Sequence, residues 1–352
     1  MALITFDKVK ISGLAACVPK NTIYNLNYST LFDKESVSEI VEKTGIYERR
    51  FAPEGMCASD LCYHAAEKLI DDLNIDKSEI DLLVFVSQTP DYRMPATSIV
   101  LQERLGLSKS TACFDINLGC SAFVYGLSVI YSMMQTGGFR KALLLDGETR
   151  SRVYSPKDRK TAFLFGDGGV AALIEKSNEV GKSFFSLNSD GSKSEYIKMD
   201  AGGYRFPSSV ETLKEKVVDE YGNIRSDEHG YMNGADVFNF VISEIPKDIK
   251  RILAYSESEL EQFDYFFFHQ ANKYMNGYLQ KKLKLDSDKV PSCIEKFGNT
   301  SSVSIPLTMV SSLFGKNYKN KNCFLSGFGV GMSWASCIIN LYDCHVSELI
   351  EI

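Results

Sequence analysis

Histidine is scarce in this chain, with four in 352 residues, and none stands in an H-E-x-x-H pattern. No aspartate-rich loop occurs, and the nine cysteines (Cys17, Cys57, Cys62, Cys113, Cys120, Cys293, Cys323, Cys337 and Cys344) have no metal-site spacing. No metal and no other cofactor is therefore expected. Basic residues are not in excess: 39 Lys and Arg against 45 Asp and Glu give a formal charge of -6. That balance argues against a nucleic acid partner, but leaves room for a small acidic ligand held by a local basic patch. No apolar run is long enough to span a bilayer, so membrane insertion is not expected. Met1 to Lys10 has mixed polarity without the hydrophobic centre of a signal peptide, and the odd cysteine count favours free thiols in a reducing compartment. These features predict a cytoplasmic location. No low-complexity linker divides the chain, so its parts should pack closely.

Strand-like and helix-like runs alternate. Ile80 to Ser87 is a near-continuous apolar strand, as in a sheet covered on both faces. Ala58 to Leu73 precedes it as a helix, and Ala96 to Leu105 follows as another. Ala142 to Asp146 reads as a short strand ending in Gly147-Glu148-Thr149. This order predicts a layered α/β fold. Phe165-Gly166-Asp167-Gly168-Gly169 and Gly327-Phe328-Gly329-Val330-Gly331 each read as a glycine-rich turn feeding an apolar β run. They point to a duplicated unit, with halves at about residues 1–180 and 181–352. Between them lies a polar excursion, Ser189 to Gly234, followed by an amphipathic helix over Ala235 to Ile245.

Cys120 stands where the strand Thr111 to Ile116 gives way to a helix over Ala122 to Met134. A thiol at such a turn lies near the positive end of a helix, where a thiolate is stabilised. Its backbone N–H would face an oxyanion formed there, and the glycine turn at 327–329 is a source of a second N–H. A buried core cysteine, like Cys113, is the alternative. His269 follows an apolar strand over Phe263 to Phe268 and precedes Gln270-Ala271-Asn272, so its ring should emerge at a strand end. Asn299, in Gly298-Asn299-Thr300-Ser301-Ser302, reads by spacing alone more readily as an ordinary turn residue. Cysteine, histidine and asparagine are the parts needed to make and discharge a thioester.

Taken in order, several segments resemble the beta-ketoacyl-acyl-carrier-protein synthase III family of the thiolase superfamily. They are Thr44 to Arg50, Thr89 to Pro95, Asp115 to Ser121, Asp158-Arg159, Phe165 to Gly168, Met232 to Gly234, His269 to Asn272, Gly298 to Ser302 and the final Gly-Phe-Gly-x-Gly run. The resemblance implies a thiolase-like, five-layered, duplicated αβαβα fold and a homodimer. It implies acyl transfer through Cys120 and a decarboxylative condensation with malonyl carrier protein, with His269 and Asn299 holding the oxyanion or enolate. It also gives Gly329 the second oxyanion-hole N–H, lays Phe328 over the thiol, and sends Met94 across the dimer interface into the partner's acyl pocket. Lys43, Arg159, Asn272 and Tyr274 fall beside the tunnel that receives coenzyme A or acyl carrier protein thioesters.

The match departs where a tryptophan and an arginine sandwich the adenine of coenzyme A in the priming enzymes. Glu39 and Lys43 stand there, and Tyr274 replaces a docking arginine. These changes, with a long charged excursion at Leu213 to His229, favour a specialised lipid, secondary-metabolite or glycan pathway and a carrier-protein donor, or a differently built tunnel. Three other readings stand beside condensation. One is acyl transfer to an amine or hydroxyl with His269 as base. Another is a binding protein on a dead fold. The third is a 3-hydroxy-3-methylglutaryl synthase variant using Glu103 or Glu148.

Overall fold

The computed structural model describes residues 2–28, 31–316, 318 and 320–352, so Met1 of the N-terminal segment read above lies outside the described residues. Long apolar strands gather into two sheets. In the first, His345–Val346 lies beside Val9–Val18, followed by Asp167–Lys176, Lys141–Thr149, Ile80–Val86 and Ala112–Ile116; Ile350–Glu351 also pairs with Val9–Val18. The second runs Ala2–Phe6, Ser183–Ser189, Ser333–Asn340, Asn322–Gly329 and Tyr265–Phe268. Four strands of each sheet repeat one pattern of two antiparallel pairings and then a parallel one. Val9–Val18 thus corresponds to Ser183–Ser189, and Ile80–Val86 to Tyr265–Phe268.

Both sheets are covered on both faces, which is why their strands are apolar on both sides. Helices Ala122–Thr136 and Ser304–Leu313 lie between the sheets, their residues Leu127, Ile130, Leu307 and Val310 sharing one core with Leu144 and Leu325. Helix Ala58–Leu73 covers the outer face of the first sheet through Leu61, Ala65 and Leu69. Helices Gly234–Ser256 and Lys273–Leu283 cover the second through Phe240, Ile249 and Leu279. The result is the expected five-layered, duplicated thiolase-like αβαβα arrangement.

Local readings change in four places. The strand begun at Ala142 extends through Glu148 and Thr149, because these pair with Gly168 and Asp167. Gly327 and Gly329 belong to a strand, and the turn comes later, between Gly329 and Ser333. The helix expected to stop at Ile245 runs on to Ser256 through Pro246; Ile249 and Ile252 bury against the sheet and offset the hydrogen bond that proline cannot make. The sheets also do not divide at residue 180 alone. Ala2–Phe6 pairs with Ser183–Ser189, while the C-terminal strands return to Val9–Val18, so each end of the chain is built into the other half's sheet.

Candidate active site

Strands of the two sheets deliver their ends to one place. After strand Ala112–Ile116 the chain turns at Gly119–Ser121 into helix Ala122–Thr136, and the Ala122 N–H donates to the Gly119 carbonyl at 2.8 Å. Cys120 occupies that turn, against the start of a 15-residue helix with no acidic residue in its first turn. Gly329 comes up against it from strand Asn322–Gly329. A Cβ built on Gly329 would lie 2.8 Å from the Cys120 sulfur, so only glycine lets this backbone approach the thiol. The Ser301 hydroxyl is 3.6 Å from the same sulfur.

His269 continues strand Tyr265–Phe268, its N–H donating to the Ser326 carbonyl at 2.9 Å. The ring is buried, with Nδ1 2.7 Å from the Ser304 hydroxyl, which also accepts the Gln270 N–H. Nδ1 is thereby engaged, and Nε2 is the nitrogen left for the cavity. Phe328 packs edge-on to the imidazole, centroids 5.5 Å apart.

Asn299 is held by its backbone, its N–H donating to the Leu164 carbonyl at 2.8 Å and its carbonyl accepting the Gly166 N–H at 3.1 Å. Gly298 has φ +65, and a Cβ there would meet the Leu164 carbonyl at 2.7 Å, so the bridge requires glycine. The Asn299 side-chain oxygen accepts the Ser301 N–H at 2.9 Å, which turns Nδ2 toward the Ala271 carbonyl, 3.5 Å away.

Electrostatics separate Cys120 from the other cysteines. Burial by itself would push its thiol up. The His269 ring, by charge and by hydrogen bond, the Arg150 guanidinium and the Ser301 hydroxyl outweigh burial and bring it from 9.0 down to about 7. The other eight thiols all move up with burial, Cys17, Cys293 and Cys344 to about 12. At neutral pH Cys120 is therefore the thiol poised to ionise.

Cys120, His269, Asn299, Phe328, Gly329 and Asn272 line one cavity of about 40 Å³, whose remaining wall includes Tyr154, Phe165, Ile197, Met232, Val241 and Met275. Asn272 also caps helix Lys273–Leu283 through the Met275 N–H at 2.8 Å. The other expected residues lie apart from this wall. Lys43 is exposed and paired with Glu39 at 2.6 Å, Arg159 donates to Ser36 at 2.8 Å, Tyr274 packs on Phe238, and Met94 is exposed. Neither Glu103, which is exposed, nor Glu148, which accepts from the Gln88 N–H and the Thr89 hydroxyl, lines the cavity. Three residues beside the thiol or the imidazole escaped the sequence reading: Arg150, Ser301 and Ser304. Arg150 follows strand Lys141–Thr149, but the strand ends in Asp146-Gly147-Glu148-Thr149, which hides the signal that the run Tyr265–Phe268 gives His269.

A nucleophilic thiol on a duplicated αβαβα scaffold defines the class of thiolase-fold acyl-transferring enzymes. Models of 3-oxoacyl-[acyl-carrier-protein] synthase III match residues 114–191, and of its C-terminal part residues 253–341. A Campylobacter jejuni relative is 36% identical over 98% of this chain and 97% of its own length. A Clostridioides difficile beta-ketoacyl-[acyl-carrier-protein] synthase III is 35% identical over 94% of this chain and 98% of its own. The crystal structure of a 3-oxoacyl-(acyl-carrier protein) synthase from Burkholderia xenovorans superposes with a TM-score of 0.93 at 36% identity, covering 100% of this chain and 99% of that one. The chain belongs to the 3-oxoacyl-[acyl-carrier-protein] synthase III family. It is a condensing acyltransferase, and among the described residues no helix is long and apolar enough to cross a membrane.

Proposed function

We propose that Cys120 takes an acyl group from a thioester and passes it to the carbanion formed when malonyl carrier protein loses carbon dioxide. The Cys120 thiolate attacks the donor carbonyl, and the donor's carbon–sulfur bond breaks as its thiolate leaves. The backbone N–H groups of Cys120 and Gly329 hold the oxyanion. In the second half, the malonyl carbon–carboxylate bond breaks, and the thioester oxygen takes up the negative charge between His269 Nε2–H and Asn299 Nδ2–H. The resulting carbon nucleophile attacks the Cys120 thioester and releases the thiolate with a beta-ketoacyl product.

One observation carries this reading. The Asn299 side-chain oxygen is already taken by the Ser301 N–H, so its amide has only N–H donors to offer the cavity. A donor amide lining the same cavity as the His269 ring suits a developing enolate. A transfer to an amine or hydroxyl needs a base and has no use for that amide. Replacing Asn299 by alanine should leave Cys120 loading nearly intact while release of carbon dioxide from malonyl carrier protein falls by about 100-fold or more. Equal losses in both steps would overturn the assignment.

The donor is most simply carrier-bound, since an exposed Glu39–Lys43 pair replaces the aromatic and guanidinium faces that grip adenine in the resembling priming enzymes. That change and the charged excursion support service in a specialised lipid, secondary-metabolite or glycan pathway. Homodimerisation is supported by strand Ala112–Ile116. It is an edge strand, half-buried along its whole length, and Tyr92, Met94 and Ile99 are exposed. Met94 would then enter the partner's acyl pocket, with Lys43, Arg159 and Tyr274 flanking the carrier entrance.

A further inference from the structure

Arg150 is a cation in an apolar wall. It follows strand Lys141–Thr149, is 7% exposed, and lines the same cavity as Cys120. Of the five N–H donors of a guanidinium, one reaches the Tyr154 hydroxyl at 3.1 Å and another the Gln88 side-chain oxygen at 3.5 Å. Nε is buried with no partner, and the guanidinium forms no ion pair with any carboxylate among the described residues. Its plane is braced by Tyr154 and Phe165, which stack at 4.0 Å and lie 5.5 and 5.8 Å from the guanidinium carbon. The nearby carboxylate, Glu148, spends its oxygens on the Gln88 N–H at 3.1 Å and the Thr89 hydroxyl at 2.8 Å. Glu148 acts on Arg150 by charge from beyond ion-pair distance, so the buried guanidinium has a counter-charge but keeps N–H donors free for a bound anion.

The Cys120 thiolate supplies a negative charge near Arg150 in the free enzyme, but acylation removes it. A thioester is neutral, so loading an apolar acyl group would leave the guanidinium with only the Glu148 charge, which makes no direct contact with it. A carboxylate on the acyl group would restore the pairing. The space beside the thiol, about 40 Å³, has room for a few water-sized groups, which suits a short chain.

Resting on the acyl-Cys120 reading above, we propose that the acyl group this enzyme loads is a short carboxyacyl group, the monothioester of a dicarboxylic acid, read by Arg150. The reaction is an ordinary transthioesterification: the Cys120 sulfur–acyl bond forms, the donor sulfur–acyl bond breaks, and the distal carboxylate is unchanged.

The test uses the full-length protein and pantetheine thioesters, which avoid any question of the donor's carrier. Loading of succinyl, of its apolar counterpart 4-methylpentanoyl, and of acetyl is followed by intact mass. Succinyl should load at least about tenfold faster than 4-methylpentanoyl. Arg150→Leu should invert that preference, while Arg150→Lys keeps part of it. Acetyl loading corrects for any change in thiol reactivity, and the native-enzyme comparison stands even if a variant misfolds. If 4-methylpentanoyl loads as well as succinyl, the carboxyacyl proposal falls while acyl transfer through Cys120 survives. If Arg150→Leu leaves the ratio unchanged but weakens use of malonyl carrier protein, Arg150 reads the malonyl carboxylate and the proposal is overturned. If none of the three loads, the acyl-enzyme reading itself fails.

Discussion

The Ser304 hydroxyl lies 2.7 Å from His269 Nδ1 and also accepts the Gln270 N–H at 3.2 Å. With one lone pair taken by that amide, the hydroxyl proton is free to point at Nδ1. Donation in that direction fixes the tautomer that keeps a proton on Nε2, the form an oxyanion donor needs. Ser304 is thus a positioning residue. Ser304→Ala should lower kcat for condensation about 10- to 100-fold with little change in the KM for malonyl carrier protein. Ser304→Thr should recover much of the loss. Steady-state kinetics on the three proteins decide it, and a change confined to KM would contradict the role.

Thiol reactivity should follow the electrostatics around Cys120. With its thiol at about 7, alkylation by iodoacetamide should rise through a midpoint near that pH. His269→Ala removes the largest influence opposing burial, so the midpoint should move up, toward or beyond 9.0. Rates measured across pH 5 to 10, a span that brackets both forms, would reveal an unmoved midpoint if the imidazole does not act on the sulfur.

Asp146 is buried, accepting the Ser302 hydroxyl at 2.6 Å on one oxygen and leaving the other without a partner. Burial pushes its carboxyl well up. A raised folded-state value means that its contribution is fully present below the unfolded value and is lost as pH rises through the folded one. Asp146→Asn keeps the acceptor for Ser302 and removes the proton equilibrium. The variant should therefore gain Tm relative to the native protein near pH 7 and lose that gain by about pH 4. Thermal scans at the two pH values check the sign.

The close approach of Gly329 to the thiol allows a steric test. In Gly329→Ala the new methyl would sit 2.8 Å from the Cys120 sulfur and 2.9 Å from its Cβ. Stability should fall by about 1–3 kcal/mol, and acyl loading should fall far more, since the methyl occupies the approach to the sulfur. Denaturant melts and loading rates measured side by side would separate the two losses.

Much of the site could be read from residue order alone. Cys120 and His269 announce themselves as polar residues at the ends of apolar strands, because a strand end is where a sheet opens to a cavity. Asn299 was visible only through resemblance, since its Gly-Asn-Thr-Ser-Ser setting is also that of a plain turn; its meaning comes from a backbone bridge to Phe165. Arg150 is less legible than His269, because its strand ends in Glu148 and Thr149, a buried arginine is rare, and its stacking partners lie four and fifteen residues away. The fold's layers follow from the apolar periodicity. The exchange of chain ends between sheets does not, since pairing of Ala2–Phe6 with Ser183–Ser189 leaves no local signature. The helix end is illegible for a similar reason: propensity would stop a helix at Pro246, and tertiary packing of Ile249 and Ile252 carries it on.

Peptide mapping of the protein after brief mixing with an acyl-pantetheine thioester addresses the covalent intermediate on which every step depends. One acyl mass should appear, confined to the peptide containing Cys120, and a Cys120→Ala variant should acquire none. An acyl adduct of equal yield in that variant, or one residing on another of the nine thiols, would contradict the account.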